Sequence, residues 1–142
     1  MCTFNILSFG SFQGLLLKIE QLKSEMKIKI DVSYLKNPNY LRADMADQQL
    51  MAKLKSSLDY VTSRPEIFDV HEVSKIKTLL DWITSANEDA GMRMNRTHFF
   101  QFVHEFDLRK GTDFMATFPE YQSFLSLTKK CFYMSRLMEN QI

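Results

Sequence analysis

Residues 3–7 and 27–33 each alternate apolar and polar side chains, and residues 12–25 between them carry apolar side chains at helical spacing. Successive side chains of a strand point to opposite faces. Phe4 and Ile6 therefore share one face of the first run, against Thr3, Asn5 and Leu7. Ile28, Ile30 and Val32 share one face of the second, against Lys27, Lys29, Asp31 and Ser33. The helix between them puts Phe12, Leu15, Leu16, Ile19 and Leu22 on one stripe, and Ser11 stands at its capping position. Two short strands joined by one amphipathic helix predict a parallel β-α-β unit, whose crossover is right-handed in nearly all proteins. Buried parallel strands are apolar on both faces. The polar second face here predicts a cavity or a solvent-facing surface.

After these runs the period changes from that of strands to that of helices. Pro38 stops the continuation of the second run, because proline has no N–H for a ladder. Asp44 or Asp47 opens a helix bearing Leu50, Leu54, Leu58 and Val61, which Arg64-Pro65 breaks. Asp69 with Glu72 three residues on forms a capping box. It starts a helix with Val70, Val73, Ile76, Leu80 and Ile83 in line and Trp82 off that line. Residues 86–91 read as a polar loop and Asn95 as the cap of a helix with Phe99, Phe102, Val103 and Phe106. Gly111 stops that helix, and Phe118-Pro119-Glu120 opens a last one that runs to about Leu137. The expected fold class is α/β, with a β-α-β unit over residues 1–44 and a mostly α-helical region over residues 45–142.

Charge sets limits on partners. Eighteen Lys and Arg against seventeen Asp and Glu leave a net charge of +1, with the two signs interspersed. Such a chain lacks the basic field that nucleic acid or an anionic membrane requires. No stretch approaches the length of a bilayer span, and polar residues interrupt the apolar ones near the N-terminus. The two cysteines, Cys2 and Cys131, lie far apart and form neither a disulfide framework nor a paired metal motif. Free thiols fit a cytoplasmic protein. Twelve Phe and nine Met, many of them after residue 90, fill a core or line an interface.

Few residue patterns point to chemistry. His71, His98 and His104 lack metal-ligand spacing, and Gly10 and Gly14 lack the context of a phosphate loop. Glu105, Asp107, Arg109 and Asp113 surround a helix end and read as local salt bridges. In parallel sheets ligands bind at the C-terminal ends of strands. Asn5, Ser8, Asp31 and Tyr34 are therefore the candidate cofactor-binding residues, with solvent exposure of the same face as the alternative.

Three phrases carry a family resemblance. The first is Thr3-Phe4-Asn5-Ile6-Leu7-Ser8 followed by Ser11-Phe12 and a helix, and the second is Tyr34-Leu35-Lys36-Asn37-Pro38-Asn39-Tyr40-Leu41. The third is Phe106-Asp107-Leu108-Arg109-Lys110-Gly111-Thr112-Asp113-Phe114 with Phe118-Pro119-Glu120. In order and spacing, over roughly residues 3–125, they resemble the C-terminal part of twitch-domain radical S-adenosylmethionine proteins of phage and environmental type. The resemblance implies the end of a partial (βα) barrel followed by a helical tail. Complete members bind S-adenosylmethionine and a [4Fe–4S] cluster held by a CxxxCxxC motif. That motif is absent here, so the resemblance implies a fragment with no cofactor and no catalytic activity of its own. Its partner would be an upstream fragment that completes the barrel, or a second copy. The alternative expectation is a small helical interaction module that uses a Phe/Met-rich surface.

Overall fold

Strand pairing in this chain lasts three residues. The computed structural model describes residues 1–140. In it β1 (Cys2–Phe4) and β2 (Val32–Tyr34) form a parallel two-stranded sheet, with Cys2 opposite Val32 and Phe4 opposite Tyr34. The parallel pairing matches expectation; the extents over 3–7 and 27–33 do not. β1 ends early because the Asn5 N–H donates to Ser8 Oγ at 3.1 Å while Asn5 Oδ1 accepts from the Leu7 N–H at 2.8 Å. This reciprocal cap diverts the backbone into a 3-10 turn, Ile6–Ser8. β2 starts late because the Ile30 N–H donates to Glu72 Oε2 at 2.9 Å instead of to a strand. Phe4, Ile6, Ile30 and Val32 are buried, as their alternation requires.

The connecting helix α1 (Phe12–Lys23) buries Phe12 and Leu16, whereas Leu15 on the expected stripe is exposed. Ser11 precedes it without a side-chain cap bond. Its backbone is already helical, and a capping hydroxyl needs extended geometry to reach a free N–H. After two 3-10 turns, Asn39–Leu41 and Ala43–Met45, Asp47 caps α2 (Gln48–Thr62) by accepting from the Leu50 N–H at 2.9 Å. Asp44 pairs with Arg42 instead, at 2.7 Å.

The capping box of α3 (Val70–Thr84) forms as its sequence dictates. Asp69 Oδ1 accepts from the Glu72 N–H at 2.8 Å, and Glu72 Oε1 accepts from the Asp69 N–H at 3.1 Å. That backbone bond first, and then the Lys29 ammonium, hold the Asp69 carboxyl below the usual aspartate range. A depressed folded pKa stabilises above the unfolded value, and the stability is lost as pH falls through the folded one. Acid titration of stability should therefore be shallower in Asp69→Asn than in wild type below about pH 4. Parallel acid-unfolding curves would contradict this.

α4 (Ala90–Lys110) starts five residues before Asn95, so Asn95 is not its cap and residues 90–91 are not loop. Asp89 caps it, accepting from the Met92 N–H at 2.9 Å. Gly111 ends it at φ 64°, a left-handed conformation that costs any residue with a Cβ. Gly111→Ala should lose about 1 kcal/mol in denaturant unfolding, and no loss would contradict this reading. The short α5 (Phe114–Thr117) and the 3-10 turn Pro119–Tyr121 lead into α6 (Gln122–Glu139).

One core joins these pieces. Phe4, Ile6, Leu16, Leu50, Ile76, Phe99 and Phe124 belong to a single buried cluster, so residues 1–44 and 45–142 share it. Tyr121, fully buried, donates its hydroxyl to the Ile6 carbonyl at 2.5 Å. Arg96, also buried, donates from Nε to the Met45 carbonyl at 2.9 Å and from Nη1 to Glu88 at 3.1 Å. The molecule is thus mixed α/β, mostly helical, with the small sheet at one side of a helical core.

Candidate functional site

The four residues selected at the strand ends come together only in part. Asn5 and Ser8 meet, but on each other: Ser8 Oγ accepts from the Asn5 N–H, and the Asn5 carbonyl accepts from the Ser8 N–H in the turn after β1. Asp31, half exposed, pairs with Lys75 at 3.4 Å, and its carbonyl accepts from the Cys2 N–H at 2.7 Å. Tyr34 stacks on Trp82 with ring centroids 4.1 Å apart, and the Lys36 ammonium lies 5.8 Å from the Tyr34 ring centre. The Tyr34 ring is therefore engaged by side chains of this chain.

The polar side of β2 faces α3. Lys29 pairs with Asp69 at 3.0 Å, Ile30 bonds Glu72, Asp31 pairs with Lys75 and Tyr34 stacks on Trp82. These partners climb α3 in order, so the helix lies along the β2 edge away from β1. Covering by a helix is one of the ways a sheet edge is shielded from further pairing. Of the residues that looked like a ligand face in sequence, Asp31 and Tyr34 lie on the seam with α3, while Asn5 and Ser8 belong to the turn after β1.

The histidines also have local roles. His98 Nδ1 lies 2.9 Å from Asn39 Nδ2, which also donates to Asn95 Oδ1 at 2.9 Å, and His104 stacks on Phe100. His71 is exposed on α3. Asp107 accepts from the Thr112 hydroxyl at 2.7 Å and the Phe114 N–H at 3.1 Å, which braces the turn after α4. Among the described residues no three His, Cys, Asp or Glu side chains are grouped to hold a metal ion. Cys2 and Cys131 are half-buried free thiols on β1 and α6, and burial pushes the Cys2 thiol up. Two thiols so placed do not fit a cluster that needs three closely spaced thiolates.

A groove of ≈ 680 Å³ is lined by Phe9, Gly10, Gln13, Lys53, Ser57 and Tyr60 among others, and by none of the four candidates. Its buried polar group, Ser57, is satisfied: the hydroxyl donates to Gln13 Oε1 at 2.9 Å. Nothing in it converges on an absent ligand.

The surface of α6 is different. Its inner side buries Phe124 and Thr128, and Phe132 packs on Phe100 at 5.2 Å. Its outer side leaves Tyr133, Met134, Leu137 and Met138 exposed at 53, 57, 58 and 67%, with the Tyr133 ring at the margin, 5.4 Å from Phe132 and 6.3 Å from Phe100. Tyr133–Leu137 and Met134–Met138 are two i, i+4 pairs, which lie side by side on one broad face of the helix. One turn earlier Ser126, Leu127, Lys129, Lys130 and Tyr133 surround a shallow recess of ≈ 430 Å³. Single exposed apolar residues are ordinary, whereas a contiguous stripe of large ones marks a surface that binds something.

No family model, no curated protein and no solved structure matches this chain. The surface itself therefore has to supply the functional reading. Sequence analysis saw the excess of Phe and Met but did not separate its two roles. The separating signal was present: on a helix over 122–139, residues 124, 128 and 132 point one way and residues 133, 134, 137 and 138 another.

Proposed function

We propose that this chain is a small, mostly helical protein–protein interaction module that binds its partner through the outer face of α6. The observation that carries this reading is the stripe Tyr133, Met134, Leu137 and Met138, each more than half exposed on a helix whose other side is already packed. Methionine suits such a surface, because its unbranched, polarisable side chain adapts to the shape it meets. The reading places the chain in the cytoplasm and assigns it no reaction.

The test is a Tyr133→Ser/Leu137→Ser double variant. Both side chains are more than half exposed, while Tyr133 also lies against Phe132 and Phe100, so thermal stability should stay within about 2 kcal/mol of wild type. Immobilised wild-type chain should retain a defined protein from source-cell lysate, and the variant should lose it. Equal retention by a variant of unchanged stability would count against the reading.

A second reading keeps the chain as the C-terminal fragment of a radical S-adenosylmethionine protein, inactive alone. It is favoured by the parallel pairing of β1 and β2, because such pairs normally sit in larger sheets. The edge of β1 away from β2 is where an upstream barrel fragment would add its strand. Co-expression with a CxxxCxxC-bearing fragment should then protect the β1 amides from hydrogen exchange. Unchanged exchange would remove this reading.

A further inference from the structure

We infer that the partner of α6 is an acidic amphipathic helix, which lays apolar side chains along the Tyr133–Met138 stripe and carboxylates against the flanking cations. This rests on the interaction reading above and adds the chemistry of the partner. Two observations carry it. The first is charge: α6 bears Lys129, Lys130 and Arg136 against the single acid Glu139. Among the described residues none of these three cations makes a salt bridge, although Arg136 lies 5.1 Å from the Phe132 ring centre. Cations bordering an apolar stripe on a chain of net charge +1 form a local basic field that an acidic surface complements.

The second observation is shape. The recess on α6 is walled by Ser126, Lys129, Lys130 and Tyr133, at i, i+3, i+4 and i+7. Four residues at that spacing make the hole that receives one side chain of a facing helix. Leu127, Lys130, Met134 and Leu137 follow at alternating intervals of three and four, the spacing of a helix-pairing seam. A helical partner thus places one apolar knob between the two lysines and continues along Met134 and Leu137. Its own acids lie beside Lys129, Lys130 and Arg136. A membrane surface offers negative charge but no knob to fill the recess, and a second copy of α6 brings three further cations against one acid.

The probe is a three-heptad peptide with Leu at a and d and Glu at e and g, compared with its counterpart carrying Lys at e and g. Fluorescence anisotropy with the full chain should show saturable binding of the acidic peptide and on the order of tenfold weaker binding of the basic one. Lys129→Glu/Lys130→Glu should reverse that preference, at unchanged thermal stability because both lysines are exposed. Reversal is the result that a generic sticky surface cannot give. Equal binding of the two peptides, or no change in the charge-reversed variant, would overturn the inference. So would lysine-dependent binding to phosphatidylserine vesicles without peptide binding, or a lysine-dependent dimer in sedimentation that the peptide does not dissociate. If charge reversal leaves lysate retention intact while Tyr133→Ser/Leu137→Ser abolishes it, the interaction reading survives and only the acidic helix is lost.

Discussion

Glu72→Ala is expected to lower unfolding stability by about 3 kcal/mol, on the order of 10 °C in Tm. Glu72 lies on α3 with 2% of its surface exposed, and its carboxylate serves three donors from three parts of the chain. Oε1 takes the Lys23 ammonium at 2.8 Å and the Asp69 N–H at 3.1 Å; Oε2 takes the Ile30 N–H at 2.9 Å. Removing it leaves the Ile30 N–H without a partner beside a buried residue, and frees α1 from α3. An unpaired buried donor costs about 1–3 kcal/mol, and loss of one member of a buried ion pair costs more than the pair contributes. Lys23 is slightly exposed and can turn toward water, which keeps the total near the lower end. Glu72→Gln should fall between alanine and wild type, since its amide oxygen can still accept from Ile30. Lys23→Met leaves both backbone donors satisfied but strips the buried Glu72 carboxylate of its counterion, so it too should lower stability. Thermal and urea melts rank the three, and a Glu72→Ala protein within about 1 kcal/mol of wild type would contradict the arrangement.

The second large effect is at Tyr121, where the chain closes on itself. Tyr121 packs edge-on against Phe114, Phe118 and Phe124, and its hydroxyl donates to Ile6, 115 residues earlier. Tyr121→Ala should cost about 4 kcal/mol, the range for emptying an aromatic site in a core. Tyr121→Phe keeps the ring and loses only the hydroxyl, so about 1–2 kcal/mol is expected from the unpaired Ile6 carbonyl. Burial raises the Tyr121 pKa well above that of ordinary tyrosine. A raised folded pKa gives stability that is complete below the unfolded value and lost as pH rises above it. Wild type should therefore lose stability faster than Tyr121→Phe above about pH 10. Equal alkaline slopes would place the hydroxyl in water and sever the proposed tie between the two ends of the core.

Much of this fold is written locally. The capping box at Asp69 and the left-handed stop at Gly111 depend on residues a few positions apart, and the alternation within each of the two paired runs is equally local. What sequence misjudged depends on distant partners. The run at 27–33 has the alternation of a strand, but its outer edge is claimed by a carboxylate 42 residues later. The polar residues Lys29 and Asp31 looked like a ligand face because nothing nearby in sequence reveals Asp69 and Lys75 as their counterions. Asn95 has the right type for a cap and was misplaced because Asp89, six residues earlier, competes for the role and wins. Asn5 and Ser8, read as strand-end candidates, have the chemistry of a reciprocal cap, which was legible in their spacing of three. The α6 surface was half legible: the excess of Phe and Met was visible, but the residues already occupied by packing could be known only once Phe100 and Phe132 met.

The outer face of α6 is where a partner is expected to sit. Site-specific photo-crosslinking tests this most directly. A benzophenone amino acid replaces Met134 in one sample and Lys77, exposed on α3, in another. After irradiation in source cells, the Met134 position should yield one discrete crosslinked band, absent at Lys77, that mass spectrometry assigns to a single protein. Lys129→Glu/Lys130→Glu in the same background should weaken that band if the partner surface is acidic. Equal, diffuse crosslinking from both positions, or a discrete band from Lys77 alone, would contradict the assignment of α6 as the binding face.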